Sequence, residues 1–159
     1  MDPLLQLLER DARHSPGTLG KMLGLTEEEV KRKIAAFEAG QVILGYKAVI
    51  NHDRLNAERV KAVIEVRITP EREGGFDRTA ERISKFEEVT SCFLMSGGYD
   101  LLIFVEGKTL QQVASFVASK LATLDRVQST ATHFMLKTYK EENFLMAGAS
   151  AEERMTVTP

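Results

Sequence analysis

The sequence predicts an α+β chain in two parts, a helical N-terminal unit followed by a larger unit of alternating strands and helices. Three observations carry this. The hydrophobic period is helical over most of the first 55 residues and turns to strand-like alternation near Val60. From there the periods run β-α-β-β-α-β, the order of a ferredoxin-like sheet. The 159 residues, 43% apolar and 28% charged, suit one ordinary soluble domain or two small ones.

Asp2-Pro3 opens the first helix, with Asp as cap and Pro at the first helical position. Leu4, Leu5, Leu8 and Ala12 give that helix one apolar face. His14-Ser15-Pro16-Gly17 is expected to break it, and a short second helix to run from Thr18 to about Leu23, ended by Gly24. Thr26 with Glu29 forms a capping box for a third helix, whose buried stripe is Val30, Ile34 and Phe37 and whose stop is Gly40. Val42 to Ile50 is β-rich and is expected to be a linking strand, followed by the polar connector Asn51 to Glu58.

Val60, Ala62, Ile64, Val66 and Ile68 alternate as a strand with one buried face. Pro70 to Gly75 is a charged loop, and Phe76, Ala80, Ile83 and Phe86 stand at helical spacing. Val89 to Met95 and Leu101 to Val105 read as strands around the tight connection Ser96-Gly97-Gly98-Tyr99. Leu110, Val113, Ala114, Val117, Leu121 and Leu124 mark an amphipathic helix, and Val127 to Tyr139 a long closing strand. The expected division is residues 1–55, then 56–146, then a flexible tail at 147–159.

Charge and composition exclude several functions. Lys and Arg number 21 against 23 Asp and Glu, a net charge of −2, which excludes a strongly basic nucleic-acid coat. The lone Cys92 excludes an intrachain disulfide framework and a cysteine-rich zinc site, and fits a reducing cytoplasm. Asp2, Glu9 and Arg10 interrupt the first apolar stretch, so no signal peptide fits there. The longest apolar run, Leu101 to Val105, is far short of the roughly 18 residues that span a bilayer. A cytoplasmic protein without a membrane partner is expected. His14, His52 and His133 are scattered, Cys92 has no base near it in sequence, and Gly97-Gly98 lacks the Lys-Ser/Thr of a phosphate loop. These features predict neither catalysis nor a cofactor.

Thr18 to Phe37 has the spacing of a helix-turn-helix. Gly20 is small where two helices approach, Gly24 suits a turn with positive φ, and Leu19, Leu23, Leu25, Val30 and Ile34 pin the helices together. The second helix of such a motif enters the major groove. The candidate DNA contacts are Lys31, Arg32 and Lys33, placed after the capped start at Thr26, with Lys21 reaching phosphate from the preceding helix. Residues 1–55 carry eight Lys and Arg against eight Asp and Glu. A neutral unit binds DNA weakly, so useful affinity requires several units on one site. Glu27, Glu28 and Glu29 favour the helix N-terminus through its dipole, and Glu can also accept from cytosine N4.

The second candidate site is the turn Gly97, Gly98, Tyr99, Asp100 together with Ser129, Thr130 and Thr132 of the last strand. Adjacent glycines expose backbone N–H groups as a nest for a carboxylate, and Asp100 suits an α-ammonium group. That combination fits a zwitterionic amino acid. The plainer alternative is a tight β-turn with an exposed Asp, beside a strand rich in Thr for its β propensity. A four-stranded sheet with helices on one side leaves its other face uncovered, which predicts a dimer of facing sheets. Ile64, Val66, Ile103 and Phe134 are candidates for sheet core and interface, and Val42–Ile50 for exchange between the two copies.

Leu7–Tyr46, with GLTEEEVKRKIAAFEAGQVILGY, resembles the winged-type helix-turn-helix of the leucine-responsive/asparagine-responsive (Lrp/AsnC) transcriptional regulators. FEEVTSCFLMSGGYDLLIFVEG, then KLATLDRVQSTATHFMLKTYK, resembles that family's effector domain at the same spacing, so the likeness covers about residues 4–140. It implies a sequence-specific regulator that binds double-stranded DNA and responds to an amino acid or related small effector. It also implies a homodimer through the C-terminal sheet, assembly up to an octamer, and an effector held between dimers. Glu27–Glu29 depart from the family, whose members often have small or uncharged residues there. The alternatives are an effector-binding oligomer with weak or lost DNA binding, and an enzyme of the tetrapyrrole decarboxylase type, which shares the architecture.

Overall fold

The computed structural model describes residues 1–55, 58–70 and 75–146. The chain separates into two compact units at Ala48/Val49, so residues 49–55 belong with the second unit. The expected tail and most of the loop before Gly75 lie outside the described residues.

In the first unit α1 spans Pro3–Arg10, α2 Pro16–Leu23 and α3 Glu27–Ala39. Asp2 caps α1, its Oδ1 accepting from the Leu4 N–H at 2.8 Å. Helix α2 begins two residues earlier than the sequence suggested. Ser15 Oγ accepts from the Thr18 N–H at 3.1 Å and Pro16 takes the first helical position. The Ser-Pro pair opens this helix because proline's missing N–H costs nothing in a first turn. Gly24 ends α2 with φ +67°. Leu4, Leu8, Leu19 and Val30 form the buried centre, flanked by Leu23, Leu25, Ile34 and Phe37. Each such side chain contributes about 1.5–3 kcal/mol of transfer free energy.

Val42–Ile50 does not form the expected strand. The Val42 and Ile43 N–H groups both donate to the Phe37 carbonyl, at 2.8 and 3.1 Å, and the segment joins no ladder among the described residues. A strand needs a neighbour for its backbone groups, and the described chain offers none there. Leu44 is 88% exposed, and Val42, Tyr46 and Ile50 are also open to solvent.

The second unit contains β1 (Val60–Ile68), α4 (Asp77–Ser84), β2 (Val89–Leu94), β3 (Leu101–Gly107), α5 (Leu110–Phe116) and β4 (Val127–Phe134). A wide π turn at Val117–Leu121 continues α5 and keeps Leu121 buried. The sheet order is β2-β3-β1-β4 with every pair antiparallel, the ferredoxin-like topology. Strand β4 stops at Phe134 rather than Tyr139, two residues short of the start of β1 at Val60. Ala62 pairs with Phe134, and the Met135 N–H then bonds the Lys61 carbonyl at 2.9 Å. The chain turns instead into a small hairpin, β5 (Lys140–Glu141) and β6 (Phe144–Leu145), around Glu142 and Asn143 at positive φ.

The core lies between the sheet and its helices, with Ile64, Val66, Ile83, Leu101, Ile103 and Leu121 fully buried. Ile64, Val66 and Ile103 therefore serve the core alone and are not open to a partner, and Phe134 packs at the core's margin. The interface candidates named from sequence sit on the wrong side of the sheet. The helix-free face instead carries Val63 and Glu65 of β1, Leu102 and Phe104 of β3, Phe93 of β2, and Ala131 and His133 of β4, by cross-strand register. Phe93 and Phe104 meet edge to face there, their centroids 6.1 Å apart.

Candidate functional site

The α2–turn–α3 geometry depends on Gly20. A Cβ there would lie 2.6 Å from the Leu25 carbonyl oxygen, so only glycine lets the turn close onto α2. The Leu25 N–H completes the turn on the Gly20 carbonyl at 2.9 Å. Helix α3 then starts from the full capping box. Glu29 Oε2 accepts from the Thr26 N–H and hydroxyl, both at 2.8 Å, while Thr26 Oγ1 accepts from the Glu29 N–H at 3.2 Å. These bonds to Thr26, with Arg32 adding a smaller attraction, hold the Glu29 carboxyl below its ordinary range. Thr26 thus sets where α3 begins, and its hydroxyl is engaged within the helix end.

The three candidate cations on α3 have different surroundings. Lys31 Nζ lies 2.8 Å from Glu27 Oε1 and 3.1 Å from Glu28 Oε1, a clamp in which all three side chains remain about half exposed or more. The two carboxylates, Glu27 first, raise the Lys31 ammonium above its ordinary range. Lys33 turns towards α1, its Nζ 2.8 Å from Asp2 Oδ2. That ion pair and the Leu4 N–H hold Asp2 below the ordinary aspartate range. Asp2 therefore caps one helix and anchors another. Arg32 is exposed on α3, and Lys21 is exposed in the last turn of α2. The acidic residues that begin α3 thus act on its own cations, an effect their sequence positions indicate only through i, i+4 and i, i+3 spacing.

The second candidate site converges on the C-terminal end of β1. The Asp100 N–H donates to the Val66 carbonyl at 3.0 Å, and its Oδ2 accepts from the Ile68 N–H at 2.8 Å. On the other edge of β1, Thr130 is registered against Val66, Ser129 against Arg67 and Thr132 against Ile64. The turn and the β4 hydroxyls thus flank the same strand from its two sides. Thr130 and Thr132 share the helix-covered side and are half-buried, whereas Ser129 faces the other way and is exposed. Gly97 has φ +148°, and neither Gly97 nor Gly98 has a neighbour within 4 Å of where a Cβ would stand. The turn is open, while Tyr99 and Asp100 are half-buried beside it.

A cleft of about 150 Å³ lies at the opposite end of β1, bounded by His52, Arg59, Lys61, Leu136, Glu141 and Met146 among others. Sequence reasoning missed it because the β5–β6 hairpin supplies one wall. Its ion pairs are internal: Lys61 with Glu141 at 2.8 Å, and Arg59 with Glu106 at 2.5 Å. Among the described residues no three His, Cys, Asp or Glu are grouped to hold a metal, and no helix is long and apolar enough to cross a membrane. Burial pushes the Cys92 thiol up, away from the reactive thiolate.

Residues 61–145 match the Lrp/AsnC ligand binding domain. The chain is 42% identical to the HTH-type transcriptional regulator YugG of Bacillus subtilis over 98% of its own length and 95% of that protein. It is 26% identical to the leucine-responsive regulatory protein of Haemophilus influenzae, over 90% of this chain and 86% of that one. Among solved structures, the transcriptional regulator NMB0573 of Neisseria meningitidis, in complex with L-Met, superposes with a TM-score of 0.66 at 26% identity, covering 87% of this chain and 88% of that one. The relatives are named as regulators, not enzymes, and the tetrapyrrole-decarboxylase alternative falls away. The 42% identity runs from the helix-turn-helix through the ferredoxin-like sheet, and the chain belongs to the Lrp/AsnC family of transcriptional regulators.

Proposed function

We propose that this protein controls transcription in the cytoplasm by binding double-stranded DNA through α3, and that an amino acid or related small effector modulates it. The observation that carries the DNA reading is the tight α2–α3 turn at Gly20, which presents the capped start of α3 with Arg32 and the clamped Lys31 exposed. Lys21 reaches phosphate from α2, Thr26 positions the helix, and Lys33 acts through its tie to Asp2. The NMB0573 complex with L-Met supports an amino-acid effector, which the open Gly97-Gly98 turn would receive with Tyr99 and Asp100, while Ser129, Thr130 and Thr132 offer hydroxyls across β1. Retention of operator-sized or genomic fragments at low salt tests the first part. Calorimetric titration with the twenty amino acids tests the second. No retained DNA, or no heat from any amino acid, defeats the corresponding part.

The same reading includes a homodimer built by facing the helix-free sheets, with Val42–Ile50 of each copy supplying the strand that the other lacks. Exposed Leu44 and the absence of a ladder for that segment among the described residues support the exchange. Dimers assemble further, up to an octamer. A monomer at micromolar concentration in light scattering defeats the assembly. A second reading, an effector-binding oligomer with weak DNA binding, draws on the pairing of Lys31 and Lys33 with acidic residues. The salt dependence of DNA retention separates the two.

A further inference from the structure

On the helix-free face of the sheet, His133 Nε2 lies 3.4 Å from Glu65 Oε1. The pair is diagonal across two strands, since His133 is registered against Val63 and Glu65 against Ala131. Val63, Leu102, Phe104 and Phe93 surround it with apolar surface that neither α4 nor α5 covers. In the single chain the two side chains are 60% and 38% exposed, so water solvates both.

The other charged groups of this face are few. Lys61 of β1 is paired with Glu141, and Glu106 of β3 with Arg59, both towards the start of β1. Arg67 stands at the exposed far rim of β1. Strand β2 brings no titratable group to the face, because Cys92 packs against the helices. Among the described residues, the charge-matching group beside the Glu65 carboxylate at the centre is the His133 imidazole.

We infer that the Glu65–His133 pair is a proton-dependent latch between two copies of this chain. The inference rests on the sheet-to-sheet dimer proposed above. A two-fold interface requires a surface that complements itself, and an acceptor beside a potential donor, ringed by apolar side chains, meets that requirement. Closing the face removes two Glu65 carboxylates from water, one from each copy. A buried carboxylate is tolerated when a cation pairs with it and is costly when none does. Each carboxylate is matched when His133, from its own or the facing copy, carries a proton. With both imidazoles neutral, the interface holds two uncompensated negative charges. Dimer formation therefore takes up protons. The dimer is tightest at the acid end of the range from about pH 5 to 8 in which imidazoles titrate, and loosens as pH rises.

The test is dimer dissociation by sedimentation at pH 5.5, 6.5, 7.5 and 8, with subunit exchange between two fluorescently labelled populations as a readout that works at any affinity. Wild type is expected to dissociate, or exchange, about ten- to a hundred-fold more readily at pH 8 than at pH 5.5. Glu65→Gln is expected to stay dimeric with that dependence abolished. His133→Gln is expected to behave at every pH as wild type does at pH 8. A dimer indifferent to pH, one that tightens as pH rises, or a Glu65→Gln variant with the full dependence overturns the latch and leaves the sheet-to-sheet dimer standing. A monomer at every pH overturns both.

Discussion

Replacing Glu27 and Glu28 together by Gln removes both negative charges that hold Lys31, at 2.8 and 3.1 Å, and leaves Glu29 to complete the capping box. The pairs are exposed, so breaking each one costs only about 0.3–0.5 kcal/mol of helix stability. The larger effect is on DNA. A freed Lys31 that neutralises one phosphate steepens log K against log salt by about 0.9 per recognition helix, or about 1.8 for a dimer using both. Over the four-fold range from about 50 to 200 mM salt, the variant's affinity should fall about twelve-fold more than wild type's. At about 0.1 M salt the same contacts should tighten binding roughly eight-fold per helix. Fluorescence anisotropy on one operator-sized duplex at four salt concentrations measures both quantities. An unchanged slope and affinity would refute Lys31 as a phosphate contact restrained by its neighbours. Weaker binding with relaxed sequence preference would instead place the two glutamates against bases.

Three further outcomes follow from the geometry. Gly20→Ala forces a Cβ to 2.6 Å from the Leu25 carbonyl and should destabilise the helical unit by about 1–3 kcal/mol or more; an unshifted thermal transition of that unit would contradict the close approach. Asp100→Ala strips the Ile68 N–H of its acceptor and should cost about 1–3 kcal/mol. Asp100→Asn keeps an acceptor, so it should melt like wild type yet lose effector heat in calorimetry; retained heat would place the ammonium elsewhere. The Arg13 side chain and N–H hold Asp11 down at about 2, and Lys33 with the Leu4 N–H lowers Asp2. Both folded values lie below the ordinary 3.8, so their support is present above that pH and is lost as pH falls towards about 2. Asp2→Asn and Asp11→Asn should make the helical circular-dichroism signal of residues 1–48 less acid-sensitive in this window, and an unmoved acid transition would count against it.

Periodicity exposed what depends on local pattern. The alternation of Ala62, Ile64 and Val66 marked β1 because a half-buried strand shows its two faces in sequence, and Thr26 with Glu29 marked α3 because a capping box is local. Ser15-Pro16 was ambiguous, since the same pair serves a break and a start. Val42–Ile50 has β propensity, but propensity does not supply a neighbour, and the described chain pairs it with nothing. The end of β4 was illegible because it depends on pairing with β1, which lies some seventy residues away. The β5–β6 hairpin turns on Glu142-Asn143, without the Asn-Gly that announces such turns. Of the site, the Gly97-Gly98 turn and the α3 cations were readable as types. What each touches was not: Lys33 reaches Asp2, 31 residues back, and Asp100 reaches Ile68, 32 residues back.

The clamp on Lys31 and the tie on Lys33 also bear on how such a regulator finds its address on a chromosome. A genome presents about 10⁶–10⁹ competing sites, and a protein with many unrestrained cations spends its time bound among them. Here two of the three α3 cations begin with carboxylate partners from the same chain. Random duplex must compete with those partners for each contact, so bulk DNA sequesters less of the protein. More copies stay in solution, exchange quickly between sites, and remain available to the effector. In the assembly proposed above, occupancy of a true operator is then governed by how many protomers engage it at once.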